Sequence, residues 1–450
     1  MKGIIVGAGE VGCYLAEQLS QKGIDITVIE TDPEQSQRVD ESLDVKVFHG
    51  NGSSASMLDR AGVTDADMVL SVTSNDLTNL ICCSLTKAMN ADAVTVARVH
   101  DATYADHSLI NYQLHFGIDH LVNPEALCAV ELAKQIRNPG RVAVENLARG
   151  KVEVQQIEVT RHSRYTDKPL RELAMPDDVR VASVVHEGVF EVAGPETIIH
   201  PGDALTLFGK PDALAMVRSR FDADYKLNQV RIVLYGGTEI AIGLVRLLNN
   251  PRFRVRIIEQ DAACCKALAE QFPQVTVIHG DATSRRLLEE EQIGSCDYFV
   301  ACTKRDEDNV MTCLQASKLG AKHVQLVINK PDYEPILQEL KGALGLESVV
   351  SPRLATANEL LHMISREPAV EVGRFAGTPS KLLEIKVSSR SPSVGKEIRE
   401  LLRPANTIFV AIIHRFDARV PSASDRIMAG DRIIVLTTHE AEEAVVRLLA

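Results

Sequence analysis

A glycine-rich segment near the amino terminus is the feature of this sequence that most clearly suggests chemistry. Gly7, Gly9 and Gly12 form a GxGxxG motif between the apolar run GIIV and an amphipathic pattern typical of a helix. The first glycine of such a motif makes the tight turn, the second lets the backbone approach a phosphate, and the third lets helix and strand pack closely. The helix N-terminus adds free N–H groups and a positive dipole, which favour an anion. The predicted phosphate loop consists of Gly7, Ala8, Gly9, Glu10, Val11 and Gly12.

An acidic residue follows at the distance that a dinucleotide site requires. Glu30 ends the second apolar run, ITVIE, 18 positions after Gly12. A carboxylate in this place accepts hydrogen bonds from ribose hydroxyls, and it would repel a 2′-phosphate. The pattern therefore favours NAD(H) or another adenosine nucleotide over NADP(H). The alternative is that the glycines only permit a tight strand–helix turn.

The chain repeats itself at a separation of 228 to 230 positions. Self-similarity at a fixed separation indicates a repeated structural unit. The matching segments are ITVIETD (26–32) with VRIIEQD (255–261), SVTSNDLTN (71–79) with ACTKRDEDN (301–309), and Gly202-Asp203 with Gly430-Asp431. The sequence is thus two copies of a unit about half its length.

The second copy carries a weaker form of the glycine motif. Thr238 stands where the second glycine belongs and Ala241 where the third belongs, whereas Glu259 matches Glu30. Alanine is acceptable at the third position, but Thr238 places a branched side chain where a pyrophosphate would come close. The predicted site residues of this copy are Gly236, Gly237, Thr238, Glu239, Ile240 and Glu259. Dinucleotide binding, a smaller nucleotide, weak binding and an empty structural domain all remain open here.

Five further residues, at three places in the first copy, are candidates for ligand contact. Asn51-Gly52 and Thr73-Ser74 follow the third and fourth predicted strands, at the carboxyl edge where open α/β sheets bind ligands. Simple turn chemistry is the alternative, since Asn-Gly is a strong turn signal. Arg98 lies in the apolar run AVTVARV, where a guanidinium can serve a phosphate or form an ion pair. The second copy has Val327 at this position, so a phosphate role would not be repeated.

Metal binding and catalysis have little support in the sequence. His49 and His279 recur at one repeat position, and isolated histidines at strand ends are usually structural. The sequence contains no HxxxH spacing that would favour a metal site and no CxxC pair. No Ser-His-Asp or Cys-His grouping is evident either. We therefore expect no metal and no catalytic residues.

The order of apolar runs and helical patterns predicts the fold. In each copy, short Val/Ile-rich runs alternate with helical segments, which indicates a parallel sheet covered on both faces. A shorter stretch with a few strands and short helices follows, as in a small α+β domain. The predicted class is α/β, with two tandem Rossmann-like lobes (doubly wound parallel sheets), each followed by a small α+β lobe. The predicted bounds are 1–125, 140–225, 228–355 and 370–450.

Composition narrows the class of protein. The 450 residues carry 49 basic and 61 acidic side chains, for a net charge of -12. This balance is unusual for proteins that bind nucleic acid or anionic lipid. The start of the chain does not resemble a signal peptide, and no run of 18 apolar residues predicts a membrane span. An odd number of cysteines, nine, then indicates reduced thiols and a cytoplasmic location.

The repeat resembles a known family. The first-copy segments GIIVGAGEVGCYLAEQL, VIETD, HGNGSSASMLDRAG, ADMVLSVTSNDLTNLICCSLTK and ARVHD are similar to the N-terminal lobe of the regulator-of-potassium-conductance (RCK or KTN) domain. The segments HPGDALTLFG and MAGDRIIVLTT resemble its C-terminal lobe. The tandem arrangement over almost the whole chain is similar to the TrkA family of Trk potassium uptake systems.

The resemblance implies a regulatory role. Members of the family bind NAD(H), and often ATP or ADP, in their Rossmann lobes. They form homo-oligomeric, here tetrameric, rings at the cytoplasmic face of the membrane, on the membrane subunit of a Trk-type potassium transporter. The bound nucleotide changes the shape of the ring and so the conductance of the transporter. The resemblance implies neither catalysis nor direct membrane insertion.

Two other classes of function compete with this interpretation. An NAD-dependent oxidoreductase would share the glycine motif, but the small repeated lobes offer no evident acid/base residue. A redox-sensing DNA-binding repressor is disfavoured by the acidic charge and the lack of a clear basic recognition helix. Turnover of any small substrate by hydride transfer would distinguish the oxidoreductase from the regulatory protein.

Overall fold

The computed structural model divides the chain into two compact units, each built from both copies. The first unit comprises residues 1–132 and 230–365, and the second comprises residues 133–229 and 366–450. The described residues are 1–105, 110–137, 144–147, 151–161, 163, 165–221, 229–330, 332–364, 368–374, 379–414 and 417–450. The predicted boundaries at 140, 225 and 228 lie outside these residues. The predicted division into four domains remains a prediction.

The first N-terminal lobe is a six-stranded parallel sheet with the strand order β3-β2-β1-β4-β5-β6. Its strands are β1 (Lys2–Val6), β2 (Asp25–Glu30), β3 (Lys46–His49), β4 (Met68–Ser71), β5 (Val94–Arg98) and β6 (His120–Val122). Its helices are α1 (Glu10–Gln21), α2 (Pro33–Ser42), α3 (Ala55–Arg60), α4 (Asp76–Met89), α5 (Tyr112–His115) and α6 (Pro124–Arg137). The order reverses between β1 and β4, and open α/β sheets bind ligands at such a switch point.

Local sequence explains how these elements form. The middle of β1 and all of β4 are buried, as apolar strands covered on both faces must be. Asp32 caps α2 by accepting hydrogen bonds from the N–H groups of Glu34 and Gln35, and Asn75 caps α4 through the N–H of Thr78. The caps begin both helices just beyond the carboxyl edge of the sheet, which leaves that edge to the loops.

The first C-terminal lobe is a five-stranded antiparallel sheet with the order β10-β9-β11-β8-β7. Its strands are β7 (Val144–Leu147), β8 (Val152–Glu158), β9 (Val179–His186), β10 (Val189–Val192) and β11 (Ala204–Gly209). Helix α7 (Pro211–Phe221) follows β11 and packs on one face of the sheet through Leu214, Val217 and Phe221.

The second N-terminal lobe repeats the first, with the strand order β14-β13-β12-β15-β16-β17. Its strands are β12 (Val230–Tyr235), β13 (Phe253–Glu259), β14 (Thr276–His279), β15 (Tyr298–Ala301), β16 (His323–Val327) and β17 (Ser348–Val350). Its helices are α8 (Glu239–Leu247), α9 (Ala262–Gln271), α10 (Arg285–Glu290), α11 (Asp306–Leu319), α12 (Tyr333–Leu340) and α13 (Pro352–Ile364). Two Rossmann-like sheets are thus confirmed.

The last helix of each N-terminal lobe packs on the other lobe. Ala357 and Leu360 of α13 lie in the core that Leu15 and Leu19 of α1 help to form. Helix α6 approaches α8 so closely that a Cβ added to Gly243 would lie 2.9 Å from the Cβ of Ala129. Each lobe therefore depends on a helix of the other copy for part of its packing.

The second C-terminal lobe is again a five-stranded antiparallel sheet, with the order β18-β19-β22-β20-β21. Its strands are β18 (Ala369–Arg374), β19 (Ser380–Lys386), β20 (Thr407–His414), β21 (Asp417–Arg419) and β22 (Arg432–Thr438), and α14 (His439–Leu449) follows them. The two small sheets share one apolar core, which includes Val154 and Phe208 of one sheet and Leu382 and Leu436 of the other. The small α+β lobes predicted from the sequence are confirmed.

None of the helices in the part of the chain that the structure describes combines the length and the apolar character needed to cross a bilayer.

Candidate nucleotide-binding site

The first glycine loop makes a tight turn between β1 and α1. Gly7 adopts a φ of +98°, and a Cβ there would lie 3.0 Å from the backbone of Thr73. The Cβ position of Gly12 is occupied by the carbonyl oxygen of Gly7, so α1 packs against the strand end without room for a side chain. Around Gly9, by contrast, a Cβ would meet nothing within 4 Å. The space over Gly9 is therefore open.

The Glu30 carboxylate is anchored beside this loop. Its Oε2 accepts a hydrogen bond of 2.5 Å from the N–H of Ala8, and its Oε1 accepts bonds from the N–H groups of Thr31 and Asp32. Burial alone would favour the protonated acid, but these N–H donors outweigh it and hold the pKa of Glu30 below its usual range. The carboxylate is therefore ionised and fixed at the end of β2. Val11, which also belongs to the predicted phosphate loop, is buried in the first turn of α1.

The second loop follows the same plan with one change. Gly236 has a φ of +102°, and Oε2 of Glu259 accepts a hydrogen bond of 2.6 Å from the N–H of Gly237. The Thr238 hydroxyl donates a hydrogen bond of 2.8 Å to the carbonyl oxygen of Cys302, which fixes the orientation of this side chain. Glu239 and Ile240 open α8 as Glu10 and Val11 open α1.

The remaining candidates of the first copy lie at the same sheet edge and mostly serve the turns. Oδ1 of Asn51 accepts hydrogen bonds from the N–H and the hydroxyl of Ser53, and Gly52 packs against Val6. The Thr73 hydroxyl bonds to Oδ1 of Asn79 at 2.7 Å. These contacts agree with the alternative interpretation, in which Asn51 and Thr73 stabilise turns. Ser74 is exposed beside them.

Arg98 ends β5 with its guanidinium directed into a polar cluster. Its Nη2 lies 2.8 Å from Nε2 of His100, and its Nε has no hydrogen-bond partner among the described residues. Burial lowers the pKa of Arg98, against the opposing influence of Glu125, Asp76 and Glu10. A buried guanidinium with an unused N–H is chemically suited to an anion.

A cavity of about 890 Å³ joins the two lobes at their glycine loops. It is lined by nine of the predicted site residues: Glu10, Val11, Arg98, Gly236, Gly237, Thr238, Glu239, Ile240 and Glu259. The other nine belong to the first copy and lie outside the lining of this cavity. The cavity thus extends mainly over the second loop, although the sequence favours the first.

The cavity also brings in charged residues that the sequence prediction missed. Its lining includes His100 and Glu125 of the first copy and Lys304, Arg305 and Arg353 of the second. Glu125 and Arg353 occupy one repeat position, after Pro124 and Pro352, so a comparison of the two copies would have revealed a reversal of charge.

The second copy also has two cations at the end of its fourth strand, where Lys304 and Arg305 replace Ser74 and Asn75. The second loop therefore has cationic neighbours that its glycine pattern alone does not predict.

The two repeated histidines make the same structural contact. Nε2 of His49 lies 3.0 Å from the carbonyl oxygen of Thr31, and Nε2 of His279 lies 2.9 Å from that of Gln260. Within the described part of the chain, no cluster of three or more histidine, cysteine or acidic side chains is arranged to hold a metal ion.

Comparison with known proteins identifies the family. The TrkA-N domain model matches residues 3–124 and 232–352, and the TrkA-C domain model matches residues 154–222 and 382–450. The chain is 30% identical over 452 residues to the Trk system potassium uptake protein TrkA homolog 1 of Methanosarcina mazei, covering 99% of both chains. It is also 30% identical to the Trk system potassium uptake protein TrkA of Haemophilus influenzae, covering 97% of this chain and 95% of the other.

Solved structures agree on the fold. The GsuK channel bound to NAD superposes with a TM-score of 0.59 at 19% identity, covering 99% of this chain and 78% of that one. The GsuK RCK domain gives a TM-score of 0.58 at 19% identity, covering 99% and 94%. With TrkA-N and TrkA-C domains matched twice in the same order, the chain belongs to the TrkA family.

Proposed function

We propose that this chain is the nucleotide-binding regulatory subunit of a Trk-type potassium uptake system. The observation that carries the proposal is the duplicated glycine loop with its anchored carboxylate, set in a chain that aligns with TrkA proteins over nearly its full length. The protein acts by binding a ligand and changing shape, and it catalyses no reaction.

NAD(H) is the proposed ligand of the first N-terminal lobe. ATP or ADP is proposed as a further ligand of the two N-terminal lobes. Gly9 leaves the space that a pyrophosphate needs, and the ionised Glu30 disfavours a 2′-phosphate. In the second lobe, Lys304 and Arg305 line the cavity beside Gly236 and Thr238. Two cations so placed suit the terminal phosphates of a mononucleotide.

The proposed partner is the membrane subunit of the Trk transporter, which the protein meets at the cytoplasmic face of the membrane. A ligand can shift such a gate only by binding its two conformations with different affinity. The first unit places both glycine loops at the junction of two lobes that exchange helices. Ligand binding at this junction therefore acts where the two lobes pack together.

We further propose a homo-oligomer, a tetrameric ring. Exposed apolar side chains lie on corresponding helices of both lobes, a pattern that marks interaction surfaces. Ile81 on α4 and Met311 on α11 share one repeat position, and Leu114 on α5 is 65% exposed. Replacing Ile81 with Glu should shift the mass seen by native mass spectrometry toward smaller species. An unchanged mass would argue against α4 as the assembly surface.

Complementation of potassium uptake tests the main proposal. A strain lacking this chain, and retaining its Trk membrane subunit, should take up potassium slowly at low external potassium. The wild-type chain should restore uptake, and Gly9→Val should not, although it accumulates to the same level. Equal rescue by both chains would overturn a regulatory role for the nucleotide. Turnover of NADH with a small substrate would favour the oxidoreductase instead.

A further inference from the structure

The feature that carries a further inference is a chain of three polar side chains at the edge of the inter-lobe cavity. Nδ1 of His100 lies 3.0 Å from Oδ1 of Asp76, and its Nε2 lies 2.8 Å from Nη2 of Arg98. Both His100 and Arg98 line the cavity. The imidazole therefore connects a carboxylate behind it to a guanidinium that lines the cavity together with Glu10 and Val11 of the first glycine loop.

The partners of His100 define its protonation state. Arginine can only donate hydrogen bonds and an ionised carboxylate can only accept them. Nε2 must therefore accept from Arg98, while Nδ1 carries a proton and donates it to Asp76. His100 is thus neutral in this arrangement, with one tautomer selected by the two contacts. Asp76 also accepts the backbone N–H groups of His100 and Asp101, which holds the ring in place.

Protonation of Nε2 would remove the acceptor and place a second cation beside Arg98. Glu125 on α6 and Glu10 on α1 lie close enough to Arg98 to influence its charge, and Asp101 and Tyr104 in the segment after β5 lie close to Asp76. Burial raises the pKa of the Glu125 carboxyl, an effect that its own N–H, His100 and Arg98 oppose. An anion between Arg98 and a protonated His100 would be held by both cations.

The second copy provides a natural comparison. Val327 stands at the position of Arg98, and Asn329 at that of His100. Nδ2 of Asn329 still donates a hydrogen bond of 2.9 Å to Oδ1 of Asp306, the counterpart of Asp76. The contact with the acidic residue is thus kept in both copies, and the guanidinium with its titratable acceptor occurs in the first alone.

We propose that His100 is a positioning residue that links nucleotide affinity in the first lobe to pH. Neutral, it holds the Arg98 guanidinium by accepting its hydrogen bond. Protonated, it joins Arg98 as a second cation toward the phosphate groups of the ligand. Binding of the anionic ligand then takes up a proton, and affinity rises as the pH falls through the range in which imidazoles titrate. The inference rests on the proposed nucleotide site.

The test measures NADH affinity of the full-length chain between about pH 6 and pH 8.5, the range that spans histidine titration. The wild type should bind roughly tenfold more tightly at the lower pH, which is the effect of about one unit of differential proton affinity. His100→Asn copies the second repeat and is too short to offer Arg98 an acceptor at the place of Nε2, so its affinity should be weaker at high pH and nearly independent of pH. His100→Gln should keep an acceptor for Arg98, with wild-type affinity at high pH and no pH dependence.

Glu125→Gln is the matched control, because this carboxyl is the acidic group with the largest influence on Arg98 and burial raises its pKa. It should retain the pH dependence of the wild type. A pH profile in both His100 variants equal to that of the wild type would overturn the proposal, and so would loss of the profile in Glu125→Gln alone. A wild type that binds no NADH at any pH would instead overturn the proposed NAD(H) site.

Proton uptake by the wild type gives a second measurement that needs no variant. Calorimetric titration of NADH in two buffers of different ionisation enthalpy should show proton uptake near neutral pH. Identical binding enthalpies in the two buffers would overturn the proposal even if a His100 variant fails to fold.

Discussion

The carbonyl oxygen of Gly7 occupies the space in which a Cβ of Gly12 would lie. The glycine between these two residues has a different role, because Gly9 faces open space. Gly7 and Gly12 close the strand–helix turn, and Gly9 keeps its outer surface free. A change at Gly9 can therefore test the proposed ligand site without disturbing the turn that Gly7 and Gly12 close.

Replacement of Gly9 by Val should abolish NADH binding in the first lobe without loss of stability. The backbone of Gly9 is extended, with φ of −67°, so a side chain causes no strain there, but it fills the space of the pyrophosphate. Calorimetry should show loss of the tight site, with unfolding free energy within about 0.5 kcal/mol of wild type. Gly12→Val is the matched control and should cost about 1–3 kcal/mol through overpacking. Unchanged NADH affinity in Gly9→Val would contradict the site assignment.

Replacement of Thr238 by Gly should strengthen nucleotide binding in the second lobe. The Thr238 side chain lines the cavity, held by its bond to the carbonyl oxygen of Cys302, and glycine would give this loop the freedom of the first. In a Gly9→Val background, which removes the proposed NAD(H) site of the first lobe, any remaining NADH binding reports on the second lobe, and its affinity should rise by about tenfold or more, equivalent to about 1.4 kcal/mol. The same affinity with and without the Thr238 side chain would show that it does not obstruct the phosphates.

The pattern of apolar runs was sufficient to predict both Rossmann-like sheets, because strands buried on both faces have a distinctive composition. The exchange of α6 and α13 was not predictable. A buried face such as that of Leu360 indicates that a helix is covered, but not by which copy, since both copies offer similar surfaces. For the same reason the cavity between the loops and the approach of Arg353 to it were missed. Arg98 was identified from its place in an apolar strand, whereas the contact with His100 depends on side-chain orientation.

Replacement of Leu360 by Ala should weaken the first lobe although it alters the second copy. Leu360 is buried against the core of the first lobe, so the cavity left behind should cost about 2–5 kcal/mol. Because α13 packs on α1, the helix that begins at the first glycine loop, NADH affinity should fall as well. Both are measured on one sample, by urea denaturation and by calorimetry.

Leu449→Ala provides the control for this change. Leu449 is equally buried, but it lies in the core of the second C-terminal lobe. It should lower stability by a similar amount and leave NADH affinity unchanged. Loss of affinity in both variants would indicate general destabilisation rather than an effect transmitted through α13.

Replacement of Glu30 by Gln should lower both stability and NADH affinity at neutral pH, because an amide accepts the N–H groups of Ala8, Thr31 and Asp32 less strongly than a carboxylate. The carboxylate is partly exposed, so a stability loss of about 1 kcal/mol is expected after solvent screening.

The effect should depend on pH. Since the pKa of Glu30 is lowered in the folded chain, the contribution of its carboxylate to stability is full above the unfolded pKa of about 4.3 and is lost as the pH falls through the folded value. Urea denaturation should therefore show wild type and variant converging in acid, whereas Glu17→Gln, at an exposed site on α1, should match the wild type throughout. A difference that persists unchanged to the lowest pH would mean that Glu30 acts by its shape and not by its charge.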